Sequence, residues 1–293
     1  MAVQIVSDLH LETYTEGYQS FQIIPRAPVL ALLGDIGNVE PHRVSLATFL
    51  NTQLRQFQAV LFVPGSHEAY HSTWPATLQI LHSFEAEVTA RRASGEMALG
   101  ELIILNRRAY RVVSNVPGVF RSVEIVFLGC SLFSHVPPER SAAVGQAMND
   151  FRLTGDRWDV YWHNQMHARD LMWLNEAVSS LTVSRSPPFT STAPELAIII
   201  LTHWSPTTDP RSRSPKYGGH TSDAIASSFS TDLSSQVCFQ SPYVKAWAFG
   251  HTHFNCDFAF TRPNAAPLRL VTNQRGYAFA PAADYVNDKF ITM

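Results

Sequence analysis

The sequence predicts an α/β layered fold, and three observations carry that prediction. Short apolar runs rich in Val, Ile and Leu recur along the chain, stretches with helical spacing separate several of them, and 45% of the 293 residues are apolar. Runs of that length suit strands buried on both faces, and their alternation with helices argues for layers. The chain is long enough to bury one large core.

The runs expected as strands are Val3–Val6, Val29–Leu33, Val60–Val63, Leu102–Leu105, Ile125–Leu128, Leu196–Leu201 and Ala246–Phe249. Gly, Pro, Ser or Asp bound them. Pro41 can open a helix whose apolar side includes Val44, Leu46, Ala47, Leu50, Leu54 and Phe57. A second helix is expected from Ser72, as its cap, to about Arg92, with Pro75 in the first turn. The third spans roughly His163 to Leu181, with Met166, Asp170, Trp173, Leu174, Ala177 and Leu181 along one stripe. Beyond residue 245 the short runs Asp257–Phe260 and Leu268–Asn273 follow closely, which predicts a second, largely antiparallel sheet. Two stretches, Ser184–Glu195 and Ser205–Gly219, are rich in Ser, Pro and Thr and lack periodicity; the latter follows His203 and is either a loop over a site or a surface excursion.

Bulk composition excludes several function classes. A formal charge of −2 and the absence of long Lys/Arg runs give no general attraction to nucleic acid. Three widely spaced cysteines, Cys130, Cys238 and Cys256, suggest neither a disulfide framework nor a thiolate metal site. The aliphatic run Leu196–Leu201 is far too short to span a bilayer, and the first strand begins without a basic flank, so a soluble cytoplasmic protein with no membrane partner is expected.

The chemistry sits in five islands: Asp8-Leu9-His10, Gly34-Asp35-Ile36-Gly37-Asn38, Gly65-Ser66-His67-Glu68, Thr202-His203 and Gly250-His251-Thr252-His253. Several end an apolar run, which would place them on loops at one sheet edge. Carboxylate and imidazole side chains are the ligands that Zn, Mn, Fe or Mg accept. Asp8 and His10 lie two apart and share a strand face, and His251 and His253 repeat that spacing after a buried strand. Because the islands run from Asp8 to His253 and must converge, one domain over residues 1–293 is expected.

In this order the islands resemble the calcineurin-like metallophosphoesterase superfamily, whose pattern is Asp-x-His, Gly-Asp-x-x-(Asp/Asn), Gly-Asn-His-(Asp/Glu), a lone His after a strand, and Gly-His-x-His. The resemblance covers Val3 to about Tyr277. It implies a four-layer αββα sandwich of two mixed β-sheets flanked by helices. It further implies two divalent metal ions and a water activated between them, acting on a phosphate ester; the absence of a basic stripe makes a small-molecule monoester or diester the expected substrate. Carried over, Asp8, His10 and His253 would hold the first metal and Asp35 would bridge both. His203 and His251, with the residue at position 66, would hold the second, and His67 would stand beside the leaving group, so that His67 and Asp35 are the catalytic candidates. Asn38 matches a permitted variant at the end of the second motif.

Ser66 departs from the pattern, which has an amide there. A serine hydroxyl is shorter and a poorer donor, and a lost ligand should cost at least as much as the roughly 10–100-fold typical of disturbed supporting partners. The substitution leaves open a weakened second site, a non-catalytic metal-binding or regulatory protein, and a metallohydrolase or lyase acting on a non-phosphate bond. Further substrate-binding candidates are Asn38, His135 at a strand end, and Arg152, which pairs with a phosphate or holds a loop by a salt bridge. His163 and His167 are four apart on a helix, but Asn164 replaces the glutamate of a His-Glu-x-x-His site, and a structural hydrogen bond is expected for His167. Trp204 is expected in packing, and Asn273–Tyr277 either supports the site or turns the chain.

Overall fold

Two sheets face one another in the computed structural model, which describes residues 1–96, 98–115, 122–183, 195–215 and 224–292. The first sheet has the order β13-β1-β2-β3-β4, from Phe290–Thr292, Ala2–Val6, Val29–Leu33, Ala59–Val63 and Glu101–Ile104. Strands β1 to β4 run parallel and β13 is antiparallel to β1. The second sheet has the order β5-β6-β7-β8-β10-β9, from Arg108–Asn115, Ser122–Cys130, Glu195–Thr202, Val244–Phe249, Ala265–Thr272 and Asp257–Arg262. A two-stranded ribbon, β11 (Gly276–Tyr277) with β12 (Ala280–Pro281), lies apart from both.

Alternation along the strands decides which layer each side chain enters. In β2, Val29, Ala31 and Leu33 join Ile125, Phe127, Ile199, Leu201 and Ala248 of the second sheet in the central core. Leu30 and Leu32 point the other way, against α2 (Arg43–Leu54) and α3 (Trp74–Ala93), after the short α1 (Gly17–Ser20). On the outer face of the second sheet, Ile198, Ile200 and Trp247 pack with Leu174 and Val178 of α6 (Val160–Thr182). Two shorter helices, α4 (Ser141–Ala147) and α5 (Asp150–Leu153), lie between β6 and α6. The result is helix, sheet, sheet, helix, as expected.

Three local expectations differ from the structure. Asp257–Phe260 and Leu268–Asn273 do not form a separate antiparallel sheet: β8 is parallel to both β7 and β10, and only the hairpin partner β9 runs against β10. Helix α2 begins at Arg43 and turns Phe49 and Gln53 inward, leaving Val44 80% exposed. The cap of α3 is Thr73, whose Oγ1 accepts from Ala76 N, while the Ser72 hydroxyl donates to Glu40. Strand β5 was not expected at all; it pairs antiparallel with β6 and carries Arg108 and Arg111 on an exposed edge. Residues 184–194 and 216–223 lie outside the described residues. Among the described residues, no helix is long and apolar enough to cross a membrane.

Candidate metal centre

All five islands come to the carboxyl-terminal edges of parallel strands β1, β2 and β3 of one sheet and β7 and β8 of the other. Such edges form the crevice where open parallel sheets gather ligands. The local backbone is unusual. Asp8, His10, Asp35, His251 and His253 all have φ between 45° and 69°, in the left-handed region that non-glycine residues rarely occupy. Strain concentrated on the very residues with ligand chemistry is the pattern of a functional site. Gly65 is required by close approach, because a Cβ there would meet Asp35 Oδ1 at 2.5 Å and His203 Nε2 at 2.8 Å.

Two groups of donors result. Asp8, His10 and His253 present atoms all within 4.8 Å of one another, and so do Asp35, His203 and His251. In the first group His10 Nε2 faces His253 Nε2 at 2.9 Å and Asp8 Oδ1 lies 3.3 Å from His253 Nε2. In the second, His203 Nε2 is 3.4 Å from Asp35 Oδ1 and 3.2 Å from His251 Nδ1. His10, Glu12 and His67 form a third grouping of the same kind.

The hydrogen bonding shows what these groups can bind. His203 Nδ1 lies 2.8 Å from the Leu33 carbonyl, which only accepts, so the ring carries its hydrogen there and turns Nε2 toward Asp35. Among the described residues, His251 Nε2 is buried with no hydrogen-bond partner, while its Nδ1 is the nitrogen facing His203. Burial alone raises both acids, yet His253 and His203 hold the Asp8 carboxyl low, and His203 and His67 hold Asp35 well below the usual range. Burial lowers His203, but Asp35 and Asp8 outweigh it and push the imidazole up to about 10. Burial and the neighbouring His203 push His251 down to about 3. Without a cation the buried carboxylates draw positive charge onto His203, and this set of carboxylate and imidazole donors fits divalent cations with nitrogen and oxygen ligands.

Supporting groups hold the loops in place. The Glu68 carboxylate accepts from Gly65 N at 2.7 Å, Asp35 N at 2.9 Å and Ile36 N at 2.8 Å, tying the second island to the third. Gln274 accepts from His253 N at 2.6 Å and donates to Thr252 Oγ1 at 2.9 Å, so Asn273–Tyr277 supports the last island. Site support is one of the two roles expected for Asn273–Tyr277; the Glu68 contacts to Asp35 N and Ile36 N, 33 and 32 positions apart, were not visible from the sequence. His167 Nδ1 donates to the Leu132 carbonyl at 3.0 Å, and His163 Nε2 accepts from Ser134 N at 3.1 Å. Trp204 is fully buried, stacked on Phe133, as its expected packing role requires.

A cavity of about 350 Å³ opens over the centre. Asp35, Ser66, His67, His251 and His253 form its polar floor, and Met148, Ile225 and Phe229 an apolar wall. Arg213 stands exposed at its margin. Tyr277, also lining it, places its hydroxyl 3.1 Å from His67 Nε2. Other candidates lie elsewhere. Asn38 is buried beneath, donating Nδ2 to the His67 carbonyl at 2.8 Å. His135 and Arg152 are exposed and outside the cavity lining, the Arg152 guanidinium donating to Asn149 Oδ1 at 2.7 Å. Glu12 and the apolar wall escaped the sequence reading; for Glu12 the signal was its place two residues beyond His10, continuing the Asp8, His10 spacing.

The structure resembles the crystal structure of phosphopantetheinyl hydrolase from Mycobacterium tuberculosis, with a TM-score of 0.57 and 15% identity over 94% of this chain and 89% of that one. The likeness shows a shared fold. An uncharacterized protein of Acanthamoeba polyphaga mimivirus is 25% identical over 296 residues, covering 94% of this chain and 91% of the relative. No family model matches the chain.

Proposed function

We propose that this protein is a metal-dependent hydrolase of a small-molecule phosphate monoester or diester. The observation that carries the proposal is the convergence of five distant segments into two acid and imidazole clusters, in which His251 Nδ1 faces His203 Nε2 at 3.2 Å. Asp8, His10 and His253 would hold one cation, and His203, His251 and Ser66 the other, with Asp35 between. Such cations, when bound, supply Lewis acidity and neutralise charge on phosphoryl oxygens.

The chain's own side chains supply the rest. His67 presents Nε2 to the cavity as a proton donor for the departing oxygen, with Tyr277 beside it. Met148, Ile225 and Phe229 seat an apolar portion of the substrate and exclude water. Arg213 offers a guanidinium to an anionic group at the margin. The volume suits a small molecule rather than a polymer, and the balance of charge offers no basic track for nucleic acid. By its name the structural neighbour acts on phosphopantetheinyl groups, which adds such esters to the substrates worth testing.

Ser66 favours a second reading, a metal-binding protein without turnover. It is buried on the cavity floor. The test is metal content by element and stoichiometry, with paired nitrophenyl monoester, nitrophenyl diester and phosphopantetheine assays. Bound metal with hydrolysis of at least one ester is expected. Ser66→Asn is expected to raise affinity for the second cation, and activity with it, roughly tenfold or more. Metal-loaded protein inert toward every ester, before and after Ser66→Asn, would favour the second reading.

A further inference from the structure

We infer that Glu12 is a positioning residue for His67 in proton transfer to the leaving group, an inference that rests on the phosphoester reading above. Glu12 lies in the turn Leu11–Thr13, two residues past His10 and outside every island that carries the family resemblance. Its Oε1 is 2.7 Å from His67 Nδ1, and both side chains are only 9% exposed. A carboxylate accepts, so the hydrogen of this bond belongs to Nδ1. That assignment leaves Nε2 as the nitrogen facing the cavity, where the Tyr277 hydroxyl is 3.1 Å away.

The ring has little freedom to turn. It lies against Tyr70 at a centroid distance of 4.1 Å and meets His10 edge-on at 4.3 Å, while His67 N donates to Asp35 Oδ1 at 2.8 Å. Asn38 donates to the His67 carbonyl rather than to the ring. Among the described residues, the other acid paired with this ring is Asp35, on the opposite nitrogen and at 3.9 Å. In the step, a water oxygen forms the new P–O bond and gives up a proton to solvent, while the P–O bond to the leaving group breaks and its electron pair stays on the departing oxygen, which takes the proton from Nε2. The N–H electron pair remains on the ring, and water later restores the proton. Glu12 keeps the ring aimed throughout.

The competing role for Glu12 is ligation of a cation with His10 and His67, whose Nδ1 atoms are 3.3 Å apart. Glu12→Gln removes the charge and keeps the volume, while Glu12→Asp keeps the charge and shortens the reach. With an alkyl phosphate, whose leaving group needs a proton, Glu12→Gln is expected to lower kcat on the order of 100-fold. With nitrophenyl phosphate, whose leaving group departs unaided, the loss is expected to stay under about tenfold, with KM and metal content little changed. Glu12→Asp should recover part of the alkyl activity, and combining Glu12→Gln with His67→Asn should cost no more than His67→Asn alone.

Equal losses on both esters overturn the inference while leaving the function standing. Loss of a cation from Glu12→Gln overturns it in favour of ligation. Wild-type protein inert toward all esters refutes the function and the inference together. Should the variants not fold, nitrogen-15 spectra of zinc-loaded wild type decide: hydrogen on His67 Nδ1 is expected, and its absence overturns the pair.

Discussion

Glu68 does more for the centre than its place at the end of an island suggests. Its two oxygens accept three backbone N–H groups, from Gly65, Asp35 and Ile36, and so hold together the two loops that carry Asp35, Ser66 and His67. A glutamine there offers one oxygen and turns an NH₂ group toward donors. Glu68→Gln is therefore expected to weaken metal binding roughly 10–100-fold and to lower stability by about 1–3 kcal/mol. Calorimetric titration with zinc or manganese, alongside thermal melting, checks both effects. Unaltered affinity would mean that the loops are held by the cation itself. At this scale the gathering of Asp8, His10, Asp35, His203, His251 and His253 was expected from the islands and the family they resemble, and the structure brings them into two clusters. Glu12 and Glu68 in their supporting roles were not expected, because a hydrogen bond spanning 33 or 55 positions leaves no local pattern.

Single elements carry a second kind of consequence, in the segment Leu132–Val136 pinned to α6. His163 and His167 face this segment, and Asp170 accepts from Leu132 N at 2.8 Å while pairing with Arg107 at 2.5 Å. His163 is buried, its Nδ1 unpartnered among the described residues, and burial together with His167 pushes its pKa down to about 3. The unfolded chain takes up a proton at this position near pH 6.5, whereas the folded one does not until about pH 3. Between those values the unfolded state binds more protons, so stability is full above pH 6.5 and falls as pH drops toward 3. Replacing His163 by Asn should lower stability at pH 7 through lost bonds to Ser134, yet flatten the acid decline by roughly 1 kcal/mol per pH unit. Urea denaturation at pH 7, 6 and 5 measures it, and parallel declines in both proteins would remove His163 as the cause. The apolar runs located nearly every strand of the first sheet, since residues buried on both faces read as unbroken Val, Ile and Leu. Strand β5 was missed for the converse reason: at an exposed edge its Arg, Ala, Tyr and Val residues resemble a loop.

At the scale of the whole molecule, the two sheets approach each other through one shared core, and their strand ends meet at the centre. The Asp8 carboxylate, from the first sheet, accepts from His251 N of the second at 3.1 Å, and the Leu33 carbonyl faces His203 Nδ1 across the same seam. Cations there would join the halves. Chelation is thus expected to lower Tm and to be reversed by zinc or manganese, with stabilisation of about 3–4 kcal/mol at 100–1,000 times the dissociation constant. Differential scanning calorimetry with and without chelator tests it; an unchanged Tm would mean that the clusters hold no metal in the folded protein. The sequence by itself determined the layered α/β class and the order of the ligand-bearing islands, because hydrophobic periodicity and short motifs are local properties of the chain. Only the tertiary structure decided that β8 lies parallel to β7 and β10, which side chains wall the cavity, and that Glu12 reaches His67. Those outcomes depend on backbone groups and side chains far apart in sequence meeting in space, and nothing local records which of them will meet.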